Sequence, residues 1–76
     1  MKNLVEVIVK ALVDHPGEVV IHEKEEKGIE VLEVRVAESD MGKVIGKQGR
    51  IAKAIRSVVK AAATKENKKV SVDIMD

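Results

Sequence analysis

The chain has no cysteine, no phenylalanine, no tyrosine and no tryptophan, and a single proline. Without cysteine there is no disulfide staple and no thiolate metal site, which fits a reducing compartment. Without phenylalanine, tyrosine or tryptophan the usual stacking platform is missing, so recognition has to rest on aliphatic contact, backbone hydrogen bonds and charge. Long apolar runs are missing, which excludes a membrane-spanning helix, and the N-terminus lacks a charged-then-apolar signal layout. A soluble cytoplasmic protein is the expectation. The 76 residues leave room for one domain, 1–76, and none for a separate substrate domain. A chain of this size buries only about 60% of its unfolded surface, so modest stability is expected.

An excess of charge of one sign is also missing: the formal net charge is +1. The distribution is uneven, however. Residues 18–40 hold eight acids against three bases, and residues 41–69 hold nine bases against one acid, Glu66. Such a dipole presents its positive end as a surface for phosphates, although a lysine-rich helix face is also what plain solvation produces.

The apolar periodicity outlines the elements in turn. Residues 3–14 read as a helix, with Asn3 as N-cap, Glu6 three residues on, and Leu4, Val7, Ile8, Ala11 and Leu12 on one face. Val5, Val9 and Val13 lie beside that stripe, either as a widening of the core face or as a surface for a partner. His15-Pro16-Gly17 ends the helix. From Glu18 to Val36 the period becomes two, which predicts a hairpin whose charged loop is Lys24 to Gly28. His22 reads as a surface histidine, because no metal ligands converge on it. A short helix with Ser39 as N-cap and Asp40 complementing the dipole carries Met41, Val44 and Ile45 and stops at Gly46. A second begins after Gly49, with Ile51, Ala54, Ile55, Val58, Val59 and Ala62 on one side and Arg50, Lys53, Arg56 and Lys60 opposite. Val70, Val72 and Ile74 alternate in a final strand. The order αββααβ makes an α+β fold, with a right-handed crossover returning the last strand parallel to the second.

The stretch Gly42-Lys43-Val44-Ile45-Gly46-Lys47-Gln48-Gly49-Arg50 joins the two later helices. It is not a Walker A loop: three residues, not four, separate Gly42 from Gly46, and Gln48 stands where a magnesium-holding hydroxyl is needed. It is not a dinucleotide fingerprint either, since no G-x-G occurs in the chain. The spacing Gly46-x-x-Gly49 by itself suits a plain helix-to-helix turn with a capping glycine as well as a turn that exposes its amides to phosphate. No nucleophile–base pair, no paired carboxylates on an apolar background and no metal cluster point to an enzyme, and no cofactor is implied.

Taken together, the αββααβ order and Val44-Ile45-Gly46-Lys47-Gln48-Gly49-Arg50 between the paired helices resemble a type II KH domain over nearly the whole chain. The run from Asp40 to Gly46 further resembles the small bacterial single-KH proteins of the KhpA family. The resemblance implies a three-stranded mixed sheet backed by three helices. It also implies a non-enzymatic binder of single-stranded RNA or DNA whose loop clamps about four nucleotides while the bases lie in a shallow apolar groove. On that pattern the RNA-binding residues are Lys43, Val44 and Ile45 before the loop, Gly46, Lys47, Gln48 and Gly49 within it, and Arg50 and Lys53 after it, with Val70 and Val72 on the far groove wall. The role implied is that of an RNA chaperone or post-transcriptional regulator. Family likeness also implies self-association or pairing with a second KH protein of the KhpB type, also called Jag or EloR. The alternative is a KH-fold dimerisation module in which RNA binding is secondary.

Overall fold

A computed structural model describes residues 1–75 and, at Lys47, the backbone alone. Helix α1 spans Lys2–Leu12, a short 3-10 turn Pro16–Glu18 follows, and strands β1 (Val20–Glu26) and β2 (Ile29–Arg35) lead to the helical segment α2 (Glu38–Lys65) and strand β3 (Val70–Met75). The sheet order is β1-β2-β3, with β1 antiparallel and β3 parallel to β2, as the α2 crossover requires. This is the expected α+β architecture.

Helix α1 is apolar on more than one side, so its periodicity announces a stripe without fixing its centre. The structure centres it on Val5, Val9 and Val13, which are buried, with Ile8 and Leu12 at the margin. Leu4, Val7 and Ala11, expected to face the core, are exposed, Val7 by 68%. The helix also starts at Lys2 with no side-chain cap, so Asn3 does not cap it.

The hairpin is longer than its composition suggests. Charged residues remain in strand conformation through Glu26, which pairs with Ile29, and the turn is Lys27-Gly28 alone, with φ of 51° and 80°. Two successive left-handed residues form the two-residue primed turn that matches strand twist, and glycine fills the second position without Cβ strain. Lys24, expected in a loop, instead bridges Glu26 and Glu33 across strand neighbours at 2.9 and 3.5 Å. On β1 only Ile21 is buried, whereas β2 buries Val31, Leu32 and Val34.

Segment α2 follows the helical pattern from Glu38 to Lys65, but Gln48 and Gly49 have φ of 63° and 69°. A right-handed helix cannot pass straight through two left-handed residues, so α2 consists of two arms joined at this point. The sheet is thus backed by three helical runs. The break falls two residues later than expected, because Gly46 keeps a negative φ and belongs to the first arm. In the second arm Ala52, Ile55, Val59 and Ala63 face inward, and Ala54 and Val58, expected on the buried side, are exposed. The arm ends in a Schellman motif: Asn67 is left-handed at φ 58°, its N–H donates to the carbonyl of Thr64 at 3.1 Å, and that of Lys68 donates to Ala63 at 2.8 Å. Val5, Val9, Leu32, Val34, Val44 and Ile55 form the centre of the core between helices and sheet.

Candidate nucleic-acid interface

The first arm of α2 is fixed from below by Asp40. This carboxylate is 1% exposed and accepts the backbone N–H groups of Asp14 and His15 at 3.2 and 3.0 Å, with the Nδ1 of His15 a further 3.2 Å away. Burial pushes its pKa up, but the two backbone donors and the His15 ring outweigh that and leave it below the usual carboxylate value. Asp40 therefore ties the end of α1 to the start of α2 rather than serving only the helix dipole. Ser39 is not the N-cap, which is Ala37; its hydroxyl lies 3.3 Å from His15 Nδ1.

The turn at Gln48-Gly49 ends this arm and starts the next, whose dipole places partial positive charge beside it. A Cβ placed on Gly46 or on Gly49 meets no atom within 4 Å. Gly49 owes its glycine to its left-handed φ. Gly46 has no such reason: it is helical and uncrowded, a place where alanine suits a helix better by about 1 kcal/mol. What its missing side chain provides is bare backbone facing open space.

Two adjoining hollows that meet at Arg56 form a groove between the second arm and β3. Its first section, about 390 Å³, has Ile45, Ala52 and Ile74 as apolar lining and Gln48, Lys53 and Arg56 as polar lining. Its second section, about 480 Å³, continues past Arg56 between Val59 and Lys60 on the helix and Val70 and Val72 on the strand. Strand β3 lies at the sheet edge. The carbonyl of Lys69 accepts the N–H of Glu30, so odd-numbered residues hydrogen-bond to β2 and the even ones, Val70, Val72 and Ile74, turn their backbone groups to the free edge. The Nε of Arg56 reaches the Val72 carbonyl on that edge at 3.5 Å. An unpaired strand edge beside an apolar floor offers hydrogen bonds to the polar rim of a flat ligand.

Of the residues expected at the site, Ile45, Gln48, Gly49 and Lys53 come together around the first section, with Ile45 53% exposed. Gly46 and Arg50 belong to the turn and its flank without lining the groove. Val44 is 1% exposed and part of the core, so its side chain is not available to a ligand. Lys43 turns to the α1 side, where its Nζ donates to Asp14 at 3.1 Å. The side chain of Lys47 lies outside the described residues. Ala52, Arg56 and Ile74 were not anticipated, although Arg56 follows Lys53 by three and precedes Lys60 by four on one helix face. Among the described residues Arg50, Lys53, Arg56 and Lys60 form no ion pair, so their charge is free to act outward. Among the same residues no group of His, Asp or Glu could hold a metal ion, and no helix is long and apolar enough to cross a membrane.

Comparison with known proteins gives a consistent answer. The family model described as the KhpA/KhpB KH domain matches residues 2–74. Among curated relatives, proteins named RNA-binding protein KhpA from Clostridium perfringens and Halalkalibacterium halodurans are 63% and 57% identical; the alignments cover 99% and 100% of this chain and 100% of each relative. A protein of the same name from Treponema pallidum is 44% identical, with 99% of this chain and 94% of the relative covered. No solved structure matches significantly.

Proposed function

The chain belongs to the KhpA/KhpB family of KH domains, and from that membership we propose that it binds single-stranded RNA, with the turn from Gly46 to Gly49 holding the backbone and the adjoining groove holding the bases. The observation that carries the reading is Gly46, whose missing side chain serves nothing in the fold but leaves room for a phosphate chain to lie against the backbone. About four nucleotides fit such a clamp. Their bases rest on Ile45, Ala52 and Ile74, their polar rims face the even-numbered backbone groups of β3, and Lys53 and Arg56 attract the phosphates. With no phenylalanine, tyrosine or tryptophan to stack on, affinity for so short a site is weak. A weak reader of short segments suits an RNA chaperone or post-transcriptional regulator in the cytoplasm.

Pairing with a second KH chain, either another copy or a KhpB-like protein, is the second reading, and the exposed Leu4, Val7 and Val58 favour it. Two linked weak sites gain affinity through effective concentration without new contacts. Val5, Val9 and Val13 take no part in it, because they fill the core.

The test is the double substitution Lys47→Asp with Gln48→Asp. Gln48 is exposed, and substitutions at such surface positions change stability by within about 0.5 kcal/mol, so the thermal melt should hold. Two carboxylates at the clamp oppose a phosphate chain, so affinity for short single-stranded RNA should be lost. An unchanged melt with unchanged affinity rules out the clamp.

A further inference from the structure

The lining of the groove along β3 ends at Val70, and the chain on its N-terminal side is Lys68-Lys69. The second arm of α2 and β3 run in opposite directions beside the groove, with Ile74 across from Gln48 and Gly49 and Val70 across from Val59 and Lys60. From Gly49 to Lys60 the arm advances about 16 Å, a length taken up by the roughly four nucleotides of the clamp. Beyond it lie Lys68 and Lys69, and beside them an open cleft of about 790 Å³ separates the α2–β3 connection from the hairpin tip.

We propose that Lys60, Lys68 and Lys69 form a second phosphate-binding stretch that takes the backbone of single-stranded RNA as it leaves the groove, so that the bound segment exceeds the clamp on one side only. The proposal rests on the RNA-binding reading above and extends it. The chain carrying the two lysines is pinned at both ends: the N–H of Lys68 donates to Ala63 at 2.8 Å and the carbonyl of Lys69 accepts from Glu30 at 3.0 Å. Their ammonium groups are uncommitted. Lys60 and Lys69 have no ion partner among the described residues, and Lys68 has only an exposed Glu66 at 3.8 Å. One acid, Asp73, lines the groove beside Lys60.

The opposite wall of the cleft has the other sign. Glu23 and Glu25 lie on it, Glu30 stands between them and Lys69, and Glu25 and Glu30 are direct cross-strand partners, an arrangement of like charges that sheets ordinarily avoid. Lys24 does not neutralise them, since Glu26 and Glu33 hold its ammonium, and Lys27 at the turn is the one further cation on that side. A polyanion entering the cleft is drawn to one wall and repelled by the other, which gives the path a defined side.

The experiment compares three RNA ligands by NMR titration at low salt: a tetranucleotide, and the same tetranucleotide with three abasic nucleotides added at its 5′ or its 3′ end. Abasic extensions add phosphates without bases and without new binding registers. One extension should tighten binding about three- to tenfold and the other should not, with the salt slope steeper by about 1.4 for two added contacts. Lys68→Glu with Lys69→Glu should abolish that gain and leave the bare tetranucleotide bound as before; Lys68→Gln with Lys69→Gln, which removes charge without adding repulsion, should do the same more mildly. No gain from either extension overturns the proposal, as does an equal loss of affinity for all three ligands in the variants. A wild-type protein that ignores the tetranucleotide itself overturns the clamp, a result distinct from these.

Discussion

Oδ2 of Asp40 accepts the backbone N–H of His15 at 3.0 Å and lies 3.2 Å from the same residue's Nδ1, so one buried carboxylate engages both the main chain and the ring of a residue 25 positions earlier. With the Asp14 N–H on its other oxygen, it closes the junction between α1 and α2. The group is depressed from its ordinary value of 3.8 because the donors it meets in the folded state outweigh its burial. The folded protein therefore binds fewer protons than the unfolded chain near that pH. The stability Asp40 contributes is in place above the unfolded value and is lost as pH falls through the lower folded one. Asp40→Asn should lower the melting temperature at pH 7, and its melting temperature should then fall less than that of the wild type between about pH 5 and pH 2. Parallel acid profiles of the two proteins would exclude the junction as the source.

The two glycines of the turn should separate folding from binding. Gly49→Ala places a Cβ on a residue at φ 69° and should cost about 1–2 kcal/mol, although no neighbouring atom is in the way. Gly46→Ala should leave the fold intact or raise its stability by up to about 1 kcal/mol, since it replaces a helical, uncrowded glycine. RNA affinity should nevertheless fall with Gly46→Ala, because the new methyl occupies the space proposed for the phosphate chain. Chemical denaturation paired with RNA titration reads both effects.

Helix α1 offers a contrast between two valines, Val7 and Val9. Val9 is fully buried, so Val9→Ala should destabilise by about 1–3 kcal/mol. Val7 is 68% exposed, so Val7→Ser should change stability by less than about 0.5 kcal/mol. If α1 carries the proposed pairing surface, Val7→Ser should also weaken self-association in sedimentation runs at several concentrations, with the melt unchanged.

Lys53→Glu and Arg56→Glu should each reduce RNA affinity with little effect on folding, for both side chains are exposed and line the groove without ion partners. For a site contacting two to four phosphates, the wild-type slope of log affinity against log salt should be about −1.5 to −3, and each substitution should make it shallower. Fluorescence anisotropy with a labelled oligonucleotide across a salt series provides the measurement.

The sheet was legible in the sequence because period-two alternation and crossover length leave few topologies open, and β1-β2-β3 is the one they predict. Positions that depend on which apolar neighbour wins a place in the core were harder to read. On α1 the stripe is one position away from the expected one, because nearly every candidate is aliphatic and periodicity alone does not rank valine against leucine. The same one-position shift buries Ala52 and exposes Ala54 in α2. At the site, the glycine pair was evident but not which residue turns left-handed; Gln48 does so, and Gly46 does not. The diversion of Lys43 to Asp14 and the tie from Asp40 to His15 join segments far apart in sequence, and local spacing carries no sign of such partnerships.

The parallel pairing of β2 with β3 also determines when the groove comes into being during folding. Its register sets residue 30 against residue 70, and closing so long an interval costs chain entropy that the hairpin, turning over two residues, avoids. The hairpin is therefore free to form early, while β3 docks only after both arms of α2 have brought it back across the sheet. On this topology one wall of the groove is expected to assemble late, and a partial opening of the native state that releases β3 would remove it. The turn can persist in such an opened molecule while the surface for the bases does not, so nucleic acid bound in the groove would act as a clasp on β3 and slow the exchange of its amide hydrogens.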